Sequence, residues 1–345
     1  MAWGAVAGRS AELAEALGGS ALCLYPPGGR RPPVLVRWAL SALATASHVL
    51  RHRPDVVIVT NPPLLAGLVA WAAGRLVGAR VALDSHPGGF GAQGDRVAAR
   101  LQRLHRWLAR RVVLSIVAAP AWREVVEAWG GRAVVVHEAP GGWRPAPARR
   151  HARLQVLYVG RFAADEPWPA VLEAAAACPG FDVLVTGDPA RAGVDAAGVA
   201  PNVRLVGFLD AVAYRRAVLD ADVVVSLTTE PGSVMRAACE AVWAGRPLVV
   251  SDWPAGREAF PHAVPTANNA ASLARALRQV DAGYASLAAA APEARRLQLG
   301  RWDRQRRALA EGLGLEIEDL GLDGDGLGPD GEDPGPDGDG EAGGP

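Results

Sequence analysis

The chain has no lysine: all 36 of its basic residues are arginine. That bias reflects a GC-rich coding sequence more than a chemical demand. Only three cysteines occur, Cys23, Cys178 and Cys239, scattered and odd in number. This spacing excludes a disulfide framework and a thiolate metal cage, and it fits a reducing cytoplasm. No signal peptide is visible at the start. No uninterrupted apolar run reaches spanning length: the best candidate, residues 62–77, is broken by Arg75 and too short. A soluble, cytoplasmic protein is the expectation.

What is present is ample apolar material and an uneven charge. Half of the 345 residues are hydrophobic, enough to fill the cores of two ordinary α/β domains. The formal charge of zero hides an asymmetry. Residues 316–345 carry eleven carboxylates and no arginine, which leaves 36 arginines against 25 acids, or +11, on the rest. A basic body suits phosphorylated ligands, an anionic membrane surface or nucleic acid. The tail itself is built of Asp/Gly/Pro repeats such as Asp323-Gly324-Asp325-Gly326. It superficially resembles a calcium loop, but the downstream glutamate and flanking helices are absent. Such a composition cannot bury enough apolar area to offset chain entropy, so residues 315–345 are expected to be disordered.

Short apolar runs at 55–60, 79–84, 112–119 and 133–136 alternate with helix-like stretches, and runs at 155–159, 181–185, 203–206, 223–227 and 247–250 repeat the scheme. That alternation predicts two parallel sheets with helices on both faces. The Pro- and Gly-rich segment 140–150 reads as the linker. We therefore expect a first Rossmann-like domain at 1–143, a second at 144–314, and the acidic tail at 315–345. A domain of the first kind normally opens with a buried strand before its glycine loop and helix. Here Gly4 already stands where the loop belongs and Arg9 to Leu17 reads as the helix, so the first strand is expected to be missing, leaving an exposed sheet edge.

The most informative segment runs from Thr228 through Glu230, Pro231, Gly232, Ser233 and Val234 to Glu240, and on to Gly245 and Pro247. An apolar strand ends in a polar turn, Pro231-Gly232-Ser233 is expected to open a helix, and Gly245 and Pro247 close it. Unpaired N–H groups and a positive dipole end would then face an anion at the carboxyl edge of the sheet. Glu240, further along the helix, can accept hydrogen bonds from sugar hydroxyls. The competing interpretation is an ordinary βαβ unit with Glu240 merely solvated. The whole segment resembles the nucleotide-sugar site of GT-B glycosyltransferases, close to the large retaining group called family 4.

Other loops carry the same resemblance. Val159-Gly160-Arg161 is similar to the family's loop whose arginine approaches the donor phosphates, as a guanidinium matches phosphate oxygens in a bidentate manner. Five residues on, where the family has lysine, stands Glu166. Either Arg236 or Arg9 supplies the missing charge, or donor binding is altered. The turns at Gly187 and at Gly207-Phe208 are similar to those that bracket the donor base, and glycine permits that close approach. The family's first glutamate of a pair would fall at Gly232. Glu230 lies two residues early and either reaches the donor sugar or only caps its turn, which marks a divergent member. His86, just past a strand end, resembles the histidine that faces the donor sugar; the rival is a loop-capping histidine. His105, His137 and His151 lack such a context. The resemblance, firm over 157–252 and thin before residue 150, implies a retaining sugar transfer from a nucleotide-sugar donor to an unidentified hydroxyl acceptor, without metal or cofactor. It also implies that a final helix, within 292–312, crosses back from the second domain to the first. Two alternatives stay open: a catalytically silent module that binds a nucleotide sugar, and a nucleotide-sugar 2-epimerase, whose acid/base carboxylates are not assignable from sequence. No nucleic-acid partner is expected. Residues 96–111 place apolar side chains at helical spacing among arginines, either to pack on the sheet or to make peripheral contact with the inner face of an anionic membrane.

Overall fold

The computed structural model describes residues 1–3, 8–24, 33–90, 96–147 and 150–317. The expected disorder of the tail from residue 318 onward and the loop at residues 4–7 lie outside the described residues.

The first sheet grows from a simple alternation. Helices α1 (Gly8–Ala16) and α2 (Val34–His52) precede β1 (Val56–Asn61); α3 (Leu64–Val77) leads to β2 (Arg80–Ser85). A short 3-10 turn at Pro87–Phe90 and α4 (Arg96–Ala109) lead to β3 (Leu114–Val117), and α5 (Pro120–Ala128) leads to β4 (Ala133–Val135). The strands pair in sequence order, all parallel. One face is covered by α2, α3 and α4, packed over Val57, Val59, Val81 and Leu83. The other is covered by α1, whose Leu13 meets Ala82 and Ile116. The expected bare edge at β1 is partly dressed. The Met1 ammonium donates to the Ile58 carbonyl and Thr60 N–H to the Met1 carbonyl, while Ala2 forms a parallel bridge with Cys23 on its other side. Residues 1–3 thus pair like the end of a strand, between β1 and residues 22–24.

The second half supplies β5 (Gln155–Tyr158), α6 (Trp168–Ala176), β6 (Asp182–Thr186), β7 (Val203–Gly207), α7 (Ala211–Asp220), β8 (Val223–Ser226), α8 (Arg236–Trp243), β9 (Leu248–Ser251), α9 (Pro254–Ala259), β10 (Val264–Thr266), α10 (Ala270–Ala282) and α11 (Tyr284–Leu313). Its six strands are parallel in the order β10-β9-β8-β5-β6-β7. Chain order reverses between β5 and β8, so a crevice opens there at the carboxyl ends of the strands, where doubly wound sheets bind ligands. β8 and β9 are buried at every position, as a sheet covered on both faces requires. The 30-residue α11 begins on the second sheet and ends with Leu309 and Leu313 buried in the first domain against Leu114 and Ile116. On the way Gln305 accepts the His137 N–H at 2.9 Å and Arg306 donates to the Ala16 carbonyl.

One expected boundary is corrected. The helix after β8 does not open at Pro231-Gly232-Ser233 but at Arg236, with Met235 in the N-cap position. Two partners delay it: Ser233 N–H turns back to the Glu230 carbonyl, and the Gly232 carbonyl is taken by the Trp122 indole N–H from the other domain at 2.8 Å.

Candidate functional site

The two loops at the reversal point are tied to each other. Thr229 N–H donates to the Asp165 carbonyl at 2.8 Å, and the Thr228 hydroxyl approaches the same oxygen. The Thr228 carbonyl is held in turn by the Trp253 indole and the Asn268 amide. The loop after β5 is shaped by an uncommon backbone. Phe162 is buried at φ +57°, a left-handed conformation rare outside glycine. It turns the N–H groups of Arg161 and Ala163 toward one point, which is an anion-binding nest. Gly187, at φ +102°, lets this loop close onto β6: a Cβ there would lie 2.5 Å from the Gly160 carbonyl oxygen.

That nest is already filled from within. The Glu166 carboxylate accepts from Arg161 N–H at 2.7 Å and Ala163 N–H at 3.3 Å, and its other oxygen meets the Arg161 guanidinium at 3.2 Å. Its side chain is 2% exposed, whereas the Arg161 side chain remains 57% exposed and also nears Asp165.

Glu240 is similarly engaged. On the second turn of α8 it accepts from Arg236 Nε at 2.8 Å on one oxygen and from the Tyr214 hydroxyl at 2.5 Å on the other. Burial, reinforced by this carboxylate, pushes the Tyr214 phenol well above its ordinary range. Arg236 reaches further, to Glu12 on α1 and to within 3.6 Å of Glu138. Burial alone would lower Arg236, but Glu240 and Glu12 hold it firmly protonated. Burial raises the Glu12 carboxyl against the pull of Arg236.

The facing wall belongs to the first domain. Arg9, on α1, lies between the Asp84 carboxylate (3.2 Å) and Glu138 (2.9 Å) and donates to the Val136 carbonyl. Burial would raise Asp84, but the Arg9 guanidinium and His86 bring it down to about 2. His86 follows β2, with its side chain 42% exposed and Nε2 3.6 Å from Asp84. Behind it His105 is fully buried. Its Nδ1 lies 3.0 Å from the Gly89 carbonyl, and its Nε2 meets Asn61 and Ser85. Burial lowers it to about 4, so at neutral pH it is an uncharged brace for the His86 loop.

Ion pairs bring part of the candidate set together at the junction of the two domains, and the rest lies on the loops of the second sheet. Asp84, Arg9, Glu138, Arg236 and Glu240 form an unbroken succession of ionic neighbours from the first domain to the second, and His86 Nε2 stands 3.6 Å from Asp84 at its end. Gly160, Arg161 and Gly187 lie together on the β5–β6 side. Gly207 accepts Gly187 N–H through its carbonyl, and the Phe208 side chain after it is exposed. Ser233 and Val234 are half-buried on the β8–α8 loop, and Glu230 is exposed there. Neither Arg9 nor Arg236 is an unpaired cation. Sequence reasoning missed Glu12, Glu138, Tyr214 and Trp122. Glu138 was findable, because it lies three residues past the end of β4, as His86 lies just past β2.

Comparison with known proteins adds the family. A profile for the "Glycosyl transferase 4-like domain" matches residues 6–142, and one for "Glycosyl transferases group 1" matches residues 153–281. No curated protein matches. Among solved structures the chain is similar to Anabaena HepE crystallised with UDP-glucose, at 17% identity and a TM-score of 0.66, covering 84% of this chain and 86% of that one. It is similar to sucrose-phosphate synthase of Thermosynechococcus elongatus at 18% identity and 0.63, with 84% of each chain covered. A glycosyltransferase from Rickettsia africae matches at 13% identity and 0.64, over 90% of this chain and 96% of that one. At such identities these likenesses speak for the fold alone.

Proposed function

The chain belongs to the group 1, family-4-like glycosyltransferases of GT-B architecture, and from that premise we propose that it moves a sugar from a uridine diphosphate sugar to a hydroxyl acceptor with retention at the anomeric carbon. The observation that carries this reading is the succession of ionic neighbours joining Asp84, beside His86, to Glu240 across the domain junction, beside the reversal point of the second sheet. Uridine is favoured because similar folds were crystallised with UDP and UDP-glucose. In this reading residues 1–143 present the acceptor and residues 144–314 hold the donor. The turns at Gly187 and Phe208 flank the base. The loop at Glu230, Ser233 and Val234, with Arg161, receives the diphosphate, and Glu240 receives the ribose. His86 faces the sugar from the opposite wall. Transfer of this kind asks for proximity and for stabilisation of the leaving diphosphate rather than for a protein nucleophile.

A second reading is favoured by Glu166, which fills the nest that would otherwise take a phosphate: a module that binds a nucleotide sugar without turning it over. Calorimetric titration with UDP, GDP and ADP tests the binding. UDP is expected to bind at least about tenfold more tightly than the others, a difference of about 1.4 kcal/mol. Equal or absent binding removes both readings. Release of UDP from UDP-sugars, followed with and without acceptor glycans, then separates transfer from silent binding.

A further inference from the structure

Helix α2 is built inside out. Its inward positions are Ser41, Thr45 and Val49, all buried, with the Thr45 hydroxyl satisfied by the Ser41 carbonyl and the Ser41 hydroxyl by the Leu24 carbonyl. Outward it shows Leu35 at 73% and Leu43 at 69% exposure, with Val36, Leu40 and Leu50 also exposed. The positions 36, 40, 43 and 50 keep helical spacing and form one stripe. Seven of the thirteen exposed large hydrophobic residues among the described residues lie on this single helix. By contrast the arginine-flanked stripe of α4 buries Leu108 and half-buries Leu104 and leaves only Leu101 exposed among the side chains described there.

Charge identifies what covers the α2 stripe. Between Glu15 and Asp55 the sequence contains no carboxylate, while the exposed Arg51 and Arg53 lie at the end of the helix and directly after it. We propose that this face docks on an anionic lipid bilayer, with the leucines in the acyl boundary and the arginines among the head groups. An amphipathic helix lying in the interface uses this combination, apolar area for depth and basic side chains for head-group attraction. A second copy of the helix is a poor occupant, because pairing would bring together two surfaces without a single carboxylate. No described helix is long and apolar enough to cross a membrane, so the contact is peripheral. The inference does not depend on the transferase reading, since α2 contributes none of the candidate site residues.

Vesicle flotation of the full chain tests it. Vesicles of phosphatidylcholine with about a third phosphatidylglycerol should carry the protein at about 0.1 M salt, and pure phosphatidylcholine should not. The double variant Leu35→Glu/Leu43→Glu should lose at least about tenfold in binding, and Arg51→Gln about fivefold. Both should keep their melting temperature, since the altered side chains are exposed. Failure of the parent protein to float with anionic vesicles overturns the proposal. So does unchanged flotation of the double variant. A dimer seen by light scattering that the double variant dissociates, without vesicle binding, would assign the stripe to self-association instead.

Discussion

The two walls of the domain junction use the same chemistry, carboxylates held by arginine, to opposite ends. On the first wall Arg9 satisfies Asp84 and Glu138 and a backbone carbonyl, all within its own domain. Nothing in that set needs to move for a ligand to enter. On the second wall Glu166 occupies a nest suited to phosphate, and Glu240 is closed between Arg236 and Tyr214. Arg236 also crosses to Glu12 and Glu138 of the other domain. Under the proposed function the first wall is scaffold, and the second is where an incoming anion or hydroxyl must compete with contacts already made.

If that contrast is right, breaking the first wall costs stability before anything else. Arg9→Met leaves the buried Asp84 without its guanidinium and Glu138 with only the more distant Arg236. Removing one partner of a buried ion pair typically costs about 3–5 kcal/mol. Guanidinium unfolding should show a loss of that order, and a loss below about 1 kcal/mol would show Arg9 to be replaceable.

Acid should reach the first domain through its neutral histidine. His105 has a folded pKa of about 4, below its ordinary value of 6.5. Between those pH values the unfolded chain binds the proton and the folded chain does not, so stability falls as pH drops from about 6.5 to 4. A shift of that size corresponds to about 3 kcal/mol. His137, lowered to about 3 by burial and by Arg301 and Arg9, extends the loss further into acid. Asp84 acts in the same direction lower still. Its depressed pKa contributes stability above about 4 that disappears as pH falls through about 2. Unfolding measured at neutral pH and near pH 5 should show this slope, and His105→Gln should flatten it.

The architecture was legible because parallel βαβ units repeat a buried run every few tens of residues, and nine strands stand within a residue or two of their runs. What escaped has physical causes. The strand β10, Val264-Pro265-Thr266, has a single apolar buried side chain and a proline, so no apolar run marks it. Helix α2 places Ser41 and Thr45 inward, so its apolar stripe reads as core and is not. The start of α8 slipped from Pro231 to Arg236 because Trp122, more than a hundred residues away in sequence, bonds the Gly232 carbonyl. His86 drew notice because it follows directly on β2, and Glu240 because the Glu240-Ala241 to Gly245-Arg246-Pro247 ending of its helix carries the family resemblance. Glu12 was invisible because only tertiary folding brings α1 beneath Arg236.

On the second wall Glu240→Ala should weaken UDP binding by about 1.5–3 kcal/mol, the net value of one charge-assisted hydrogen bond to a ribose hydroxyl. The same substitution strips Arg236 and Tyr214 of their partner. Tyr214→Phe is therefore the control, since it removes the 2.5 Å hydrogen bond to Glu240 while keeping the carboxylate. Retained UDP affinity in Tyr214→Phe with lost affinity in Glu240→Ala assigns the carboxylate to the ligand. Equal losses in both would reduce Glu240 to a structural clamp.

The smallest effect is expected at the nest, and its sign is the informative part. Glu166→Gln keeps the shape and one acceptor oxygen for the Arg161 and Ala163 N–H groups but removes the negative charge from a loop with a nearby exposed guanidinium. Weaker, uncharged hydrogen bonds should cost about 1 kcal/mol of stability. A diphosphate approaching Arg161 would no longer meet a fixed carboxylate, so UDP affinity should rise by about fivefold, or about 1 kcal/mol. The gain should shrink as salt rises, because the Arg161 side of the pair is exposed and screened. A fall in affinity would give Glu166 the opposite role: the carboxylate would then be the element that folds the β5 loop into the shape the donor requires, and the second wall would be as much a scaffold as the first.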